Sequence, residues 1–125
     1  MGIERVRLTT TTTGVTGSAT GQATTSSNVS GRVAAVYVYV GSGGTADITL
    51  GMQGAQATEN ILSLGTITAS AWYYPRKAIC DYAGAAVYVT TGKVYEQFIV
   101  HDNLTLNVSN ATTAVSFRAT IFIDT

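Results

Sequence analysis

The sequence predicts an all-β fold, an antiparallel β-sandwich of jelly-roll type with an extended N-terminal arm. Apolar residues recur at every second position in several stretches, which is the period of a strand. Turn-forming residues separate about eight such stretches at intervals of roughly 8 to 12 residues, as in sandwiches and barrels. No apolar pattern keeps the helical period of 3.6 for two turns.

Length and charge limit the classes of function. The 125 residues predict a single domain. Only 11% of the residues are charged, and seven basic side chains balance seven acidic ones. The overall field is therefore weak, and we expect neither nucleic acid nor a membrane as partner. We see no secretory signal and no apolar stretch that approaches the ~20 residues needed to span a bilayer.

The N-terminal part, residues 1–30, is rich in Thr, Ser and Gly and predicts either an arm or edge strands. Arg5 and Arg7 alternate with apolar residues, and five threonines follow from Thr9 to Thr13. Threonine is β-branched and favours extended backbone. Residues 14–30 offer little apolar area to bury, so a loose arm that orders against a neighbouring subunit stays open as an alternative. Residues 31–125 then form the β-sandwich domain.

Residues 31–50 predict a β-hairpin at the centre of the fold. The aliphatic residues of its first strand are Val36, Val38 and Val40, and those of the return strand are Ala46, Ile48 and Leu50. Gly41–Gly44 supplies the turn between them. Tyr37 and Tyr39 occupy the other side of the first strand. Both sides are apolar, so we expect the tyrosine side to be covered by protein, either within the chain or from a partner subunit.

Residues 72–76, WYYPR, form the densest aromatic cluster of the chain. Pro75 cannot donate to a β-ladder and predicts the end of a strand or an edge position. Trp, Tyr and Arg are enriched at protein interfaces. The same side chains can also stack on bases or sugars, and large aromatics are readily buried in a core. All three interpretations stay open at this stage.

The C-terminal part predicts two strands joined by a turn at His101–Asn103, then a long final strand over residues 115–123. His101 and Asp102 are the only adjacent His and carboxylate, and turn chemistry explains the Asp and Asn there. A small β-fold enzyme would require His101 to meet a nucleophile and a carboxylate in a cleft. Cys80 is the single cysteine, so it forms no internal disulfide and lacks partners for a metal. We therefore predict no enzyme activity, no cofactor, and no catalytic or metal-binding residue.

Several segments follow one another in an unusual order over about residues 31–123. They are GRVAAVYVYV, TADITL, ILSLGTIT, WYYPR and YEQFIVHDNLTLNVSNA, with a closing β-strand after them. This succession resembles the capsid decoration, or cement, proteins of tailed bacteriophages. The resemblance implies a β-sandwich subunit, often a homotrimer, that is made in the bacterial host cytoplasm. In the virion it would lie on the outer capsid surface and bridge subunits of the major capsid protein.

The expected protein-interface residues are the exposed aromatic and basic candidates. They are Arg5, Arg7, Tyr37, Tyr39, Trp72, Tyr73, Tyr74 and Arg76. The alternative function is a carbohydrate- or receptor-binding β-module of a phage fibre or tip. In that case Trp72, Tyr73 and Tyr74 would form a stacking platform.

Overall fold

The computed structural model describes residues 2–52, 60–78, 88–89, 92–93 and 95–125. In these ranges the chain forms β-strands and no helix, so the all-β prediction is confirmed. The strands are β1 (Ile3–Thr11), β2 (Ala19–Thr24), β3 (Val29–Val40), β4 (Ala46–Met52), β5 (Asn60–Ile67), β6 (Ala71–Tyr73), β7 (Arg76–Ala78), β8 (Tyr88–Val89), β9 (Gly92–Lys93), β10 (Tyr95–Gln97), β11 (Ile99–Asp102), β12 (Leu104–Ala111) and β13 (Ser116–Asp124).

The long strands form two antiparallel sheets that pack face to face, and this confirms the β-sandwich. The first sheet has the order β1-β13-β3-β11, and β6 also pairs with β3. The second has the order β2-β12-β4-β5, and β7–β10 and β8–β9 are separate short pairs. Consecutive strands from β1 to β4 alternate between the two sheets. The jelly-roll type remains a prediction, which this alternation favours.

The apolar residues that recur at every second position of the strands fill the core between the sheets. In the two central strands the predicted inward residues are all buried: Val36, Val38, Val40, Ala46, Ile48 and Leu50. The final strand contributes Phe117, Ala119, Ile121 and Ile123. Full burial of one such Val, Leu, Ile or Phe side chain contributes about 1.5–3 kcal/mol. The apolar side of each of these strands therefore faces the core, and the side chains between the apolar ones face outward.

The predicted hairpin at residues 31–50 is wrong, because β3 and β4 do not pair with each other. β3 pairs with β13, whereas β4 pairs with β12 and β5 in the other sheet. The turn itself exists: the Gly44 N–H donates to the Gly41 carbonyl at 2.9 Å, and Gly43 has a φ of +74°. It carries the chain from one sheet to the other. Strands in opposite sheets bury their inward residues in one core, so their alternation looks the same as that of a hairpin.

The predicted turn at His101–Asn103 fails for a related reason. His101 and Asp102 belong to β11, and Asn103 alone separates β11 from β12. β11 pairs with β3 in the first sheet, whereas β12 pairs with β2 and β4 in the second. The two strands therefore lie in different sheets. The long final strand is found where it was predicted, as β13.

The N-terminal residues lie at the edges of both sheets. β1 pairs along the whole of β13, and β2 pairs with β12. Thr12, which follows β1 and is buried, accepts from the Val115 N–H at 3.2 Å and donates through its hydroxyl to the Thr112 carbonyl. Of the two alternatives from the sequence, a loose arm or edge strands, the structure shows edge strands within residues 3–24. A division at residue 30 falls inside β3.

β3 has two local irregularities beside the end of β13. Its register with β13 shifts between Phe122 and Ile123, and Ala34 is the extra residue. Gly31 has a φ of +142°, and a Cβ placed there would lie 2.5 Å from the Asp124 carbonyl oxygen. Glycine alone adopts this conformation readily and has no side chain to clash. The bulge also places Val33 and Val36 both in the core.

Candidate functional site

Four strands of the first sheet present basic and aromatic side chains on the outer surface. Their inward neighbours fill the core, so the period of two places these residues outward. We define the arginine-aromatic face as Arg5 and Arg7 of β1, Tyr37 and Tyr39 of β3, Trp72 of β6, and Arg118 and Phe122 of β13. Residues separated by more than a hundred positions in the chain thus share one surface.

Trp72 is the centre of the aromatic part of this face. It lies opposite Tyr37 in the β3–β6 pair, and their ring centroids are 5.1 Å apart at 54°. The Phe122 ring of β13, the strand beyond β3, also contacts the indole, with centroids 5.4 Å apart at 31°. Both distances are in the range of favourable aromatic pairs. Even so, 51% of the Trp72 surface stays exposed, so these contacts fix the indole without covering it.

The arginines give this face a positive charge. The guanidinium carbon of Arg118 lies 5.0 Å from the Tyr39 ring centroid, a cation-π contact. The cross-strand neighbours of Arg5, Arg7 and Arg118 are Phe122, Thr120, Thr9 and Tyr39. No carboxylate is therefore among the residues paired with the three arginines in the sheet. The face is locally basic although the charges of the whole chain cancel.

A shallow depression of about 190 Å³ lies on this face. Its lining consists of Arg5, Arg7, Tyr37, Trp72, Arg118, Thr120 and Phe122. Sites for small molecules are commonly about 300–1,000 Å³, so this one is too small to enclose such a ligand. This volume would hold on the order of six water molecules. One inserted side chain of a partner suits this volume.

Three other predicted interface residues, Tyr73, Tyr74 and Arg76, are not among those that line the depression. Tyr73 lies opposite Val36 and packs against the core, because neighbours in a strand point to opposite sides. Tyr74 is 64% exposed but lies beyond the end of β6. Arg76 donates from Nη1 to the Ala34 carbonyl at 3.2 Å, at the bulge of β3. Arg5, Arg7, Tyr37, Tyr39 and Trp72 are the predicted residues that the structure brings together.

Two members of the face, Arg118 and Phe122, were not among the predicted site residues. The apolar pattern of the final strand indicates which of its residues face the core. The residues between them, Arg118, Thr120 and Phe122, occupy alternate positions of β13 and therefore share its other side. Which other strands would lie beside them depends on strand order, and strand order is not visible in a local pattern.

His101 meets a hydroxyl on the same sheet. The Oγ of Ser30 lies 2.5 Å from Nδ1 of His101, and the two residues are directly opposite in the β3–β11 pair. The Asp102 carboxylate instead accepts from the Asn103 N–H at 2.7 Å. A Ser-His pair needs a third group that orients the imidazole. Within the described ranges, no hydrogen bond joins a carboxylate to His101.

A wider concavity of about 850 Å³ begins at Ser30. Its described lining is Ser30, Gly31, Arg32, Gln97, Ile99, Asp124 and Thr125. The Gln97 amide donates to the Asp124 carboxylate at 3.3 Å. Of the residues that the structure describes, no three from His, Cys, Asp and Glu are grouped to hold a metal ion. The prediction for Cys80 lies outside the described residues.

The outer surface of the second sheet has a different chemistry. We define the hydroxyl-amide face as Gln22, Thr24, Asp47, Thr49, Ser63, Thr105 and Asn107. Thr24 and Thr105 share a hydrogen bond of 3.2 Å. Asp47 accepts from the Asn110 side chain at 2.8 Å and from the Thr66 N–H at 2.7 Å. These two bonds, the one from Asn110 first, hold the pKa of Asp47 below its ordinary value of 3.8.

Comparison with known proteins adds no relative. No family model, no curated protein and no solved structure matches the chain. A search of the described segments for a helix long and apolar enough to cross a membrane finds none.

Proposed function

We propose that this protein is a structural subunit that docks on other protein subunits through the arginine-aromatic face. The observation that carries the proposal is a half-exposed Trp72, which contacts Tyr37 and Phe122 and lines one depression with three arginines. Trp, Tyr and Arg are the residue types that dominate the binding energy of protein interfaces. On this basis the face binds a partner protein and transforms no molecule.

The rigidity of the face supports this role. Its residues stand on paired strands of one sheet, and the rings of Tyr37 and Phe122 limit the motion of Trp72. A surface that is ordered before binding loses little conformational entropy when the partner arrives. The depression of about 190 Å³ offers a place for one anchoring side chain of that partner.

The resemblance described above sets the biological context that we propose. The protein decorates the outer surface of a tailed-phage capsid and stabilises it by bridging subunits of the major capsid protein. It is made in the bacterial host cytoplasm and acts as a homo-oligomer, with a trimer favoured. Linking several contacts in one particle raises the total affinity, because neighbouring sites must separate together. A modest energy at each face is therefore enough to hold the lattice.

Sedimentation of virus particles with the purified protein tests this proposal. Particles of the tailed phage that encodes the chain are produced with its gene deleted and mixed with wild type or variants. We expect Trp72→Ala to weaken binding about 30-fold, since loss of a central Trp at an interface commonly costs about 2 kcal/mol or more. Gln22→Ala is the control, because Gln22 is exposed on the outer surface of the other sheet, and it should bind like wild type.

If Trp72→Ala and Tyr37→Ala both bind particles as wild type does, the face is not the docking surface. Size-exclusion chromatography with light scattering measures the oligomeric state separately. A monomer at all concentrations would overturn the homotrimer.

Carbohydrate or receptor binding is the second candidate function. The exposed indole of Trp72 beside the Tyr37 ring is an arrangement on which a sugar ring can stack. A glycan array separates the two proposals. Saturable binding of a glycan that Trp72→Ala abolishes would favour the second candidate over capsid decoration.

A further inference from the structure

We infer that the partner of the arginine-aromatic face is an acidic protein segment, in which carboxylates lie next to one bulky apolar side chain. The inference rests on the proposed function, in which this face is the docking surface, and it specifies the chemistry of what docks there. Both halves of the description follow from the arrangement of the face.

The carboxylates are inferred from the position of the arginines. Arg5 and Arg7 lie two residues apart on one side of β1, which places their Cα atoms about 7 Å apart. Thr120 of β13 lies opposite Arg7, and Arg118 lies two residues before Thr120 on the same side of β13. All three line the same depression, and no carboxylate is among their paired neighbours in the sheet. A guanidinium binds a carboxylate through two parallel hydrogen bonds, so this border suits acidic side chains.

The apolar side chain is inferred from the aromatic residues that line the depression beside the arginines. Tyr37, Trp72 and Phe122 contribute aromatic rings to the lining of the depression. Its volume of about 190 Å³ admits one side chain. An acidic segment without an apolar group would leave these rings in contact with water. We therefore expect the partner to carry acidic residues next to one bulky apolar residue along a short stretch.

A second copy of this chain in a symmetric contact does not fit the face. A two-fold axis through its centre would bring the arginines of one copy against residues of the same face of the other copy. None of the described residues that line the depression carries a carboxylate, so a symmetric contact leaves the arginines without an acidic partner. The opposite face of another copy offers Asp47, but that carboxylate already accepts from Asn110 and Thr66. A different protein is therefore the better source of the carboxylates.

Nucleic acid is the competing anionic partner, and the charge of the chain argues against it. Domains that bind nucleic acid are commonly strongly basic, with isoelectric points above about 9. Here the isoelectric point is about 6.5 and the net charge is zero. Of the seven basic residues, only three are among the described residues that line the depression, and so small a patch suits a short acidic segment better than a continuous phosphate backbone.

The fluorescence of Trp72 provides a direct test, because it is the only tryptophan of the chain. The probe is a blocked peptide with two aspartates on each side of a leucine, and its counterpart has asparagines instead. We expect the acidic peptide to give a saturable blue shift of Trp72 emission that weakens as salt is added. The asparagine peptide should bind at least about fivefold more weakly, as should oligothymidylate.

Charge-matched variants show whether the arginines are responsible. Arg5→Gln with Arg7→Gln removes two positive charges from the face, whereas Gln22→Glu with Ser63→Glu adds two negative charges on the hydroxyl-amide face. Both double variants change the net charge by two. We expect the first to weaken peptide binding at least about fivefold and the second to bind within about twofold of wild type.

Three results would overturn the acidic partner: equal binding of the two peptides, tighter binding of oligothymidylate, or no saturable shift up to about 1 mM peptide. Particle sedimentation separates this failure from that of the proposed function. If Trp72→Ala loses particle binding while the arginine double variant keeps it, the docking function stands and the acidic partner falls. If both variants bind particles normally, the docking function falls.

Discussion

The two outer faces of the sandwich use their polar groups in opposite ways. On the hydroxyl-amide face, Thr24 and Thr105 share a hydrogen bond, and Asp47 accepts from both Asn110 and Thr66. On the arginine-aromatic face, no acidic residue lies directly opposite Arg5 or Arg7 in the sheet, and Trp72 remains half exposed. The carboxylate of the first face is paired within the chain, whereas the second face retains groups that a partner can bind. In a chain with few charges, this difference is a stronger indication of function than the net charge.

The largest expected effect concerns the sheets beneath the two faces. Gly31→Ala in the first sheet should lower the free energy of unfolding by about 3 kcal/mol, because it combines a strained φ with a clash against β13. Gly65→Ala in the second sheet is the control, since a Cβ there meets no atom within 4 Å. It should change the free energy of unfolding by less than about 0.5 kcal/mol. Urea denaturation measures both, and equal losses would contradict the difference.

Asp47→Asn tests whether the hydroxyl-amide face stabilises the fold. The folded-state pKa of Asp47 is lowered, so its charge stabilises the fold at pH values above 3.8. That contribution is lost as the pH falls below 3.8 through the lowered pKa. Wild type should therefore be more stable than Asp47→Asn at pH 7, and the gap should close in acid. Ser63→Ala on the same face changes no titratable group, and its effect should be independent of pH.

The smallest expected effect is on the arginine-aromatic face. Arg5→Gln with Arg7→Gln should change the free energy of unfolding by less than about 0.5 kcal/mol, because both side chains are exposed and have no paired carboxylate in the sheet. Thermal unfolding at low and high salt measures this. A loss above about 1 kcal/mol would mean that these arginines stabilise the fold, and the contrast between the faces would then fail.

The sequence predicts which side of each strand is buried, and it does not predict which strands pair. The inward residues Val38, Ile48 and Phe117 were recognisable because side chains alternate along a strand. The assignment of β3 and β4 to a hairpin failed for a physical reason. The alternation of apolar and polar residues depends on which side of the strand faces the core. The pairing of strands depends on backbone hydrogen bonds, which every residue type except proline can both donate and accept, so the local sequence does not show which strands pair. A short glycine turn serves both arrangements.

The candidate site was predictable residue by residue, but its assembly was not. The alternation of side chains along a strand places Trp72 and Tyr37 on the outer side, and the same rule places Tyr73 on the core side. Arg5 and Arg7 join them only because β13 lies between β1 and β3. That order also adds Arg118 and Phe122. The site is therefore a product of the topology, and no contiguous motif encodes it.

The pairing of β1 with β13 has a consequence for folding. These strands are the first and the last along the chain, yet nine consecutive residues of one face nine of the other. Closure of so long a loop delays productive contacts, and topologies dominated by distant pairings commonly fold in milliseconds to seconds. During synthesis, the backbone groups along one edge of β3 must wait for β13 to leave the ribosome. Nascent chains should therefore depend on chaperones more than the small size of the domain suggests.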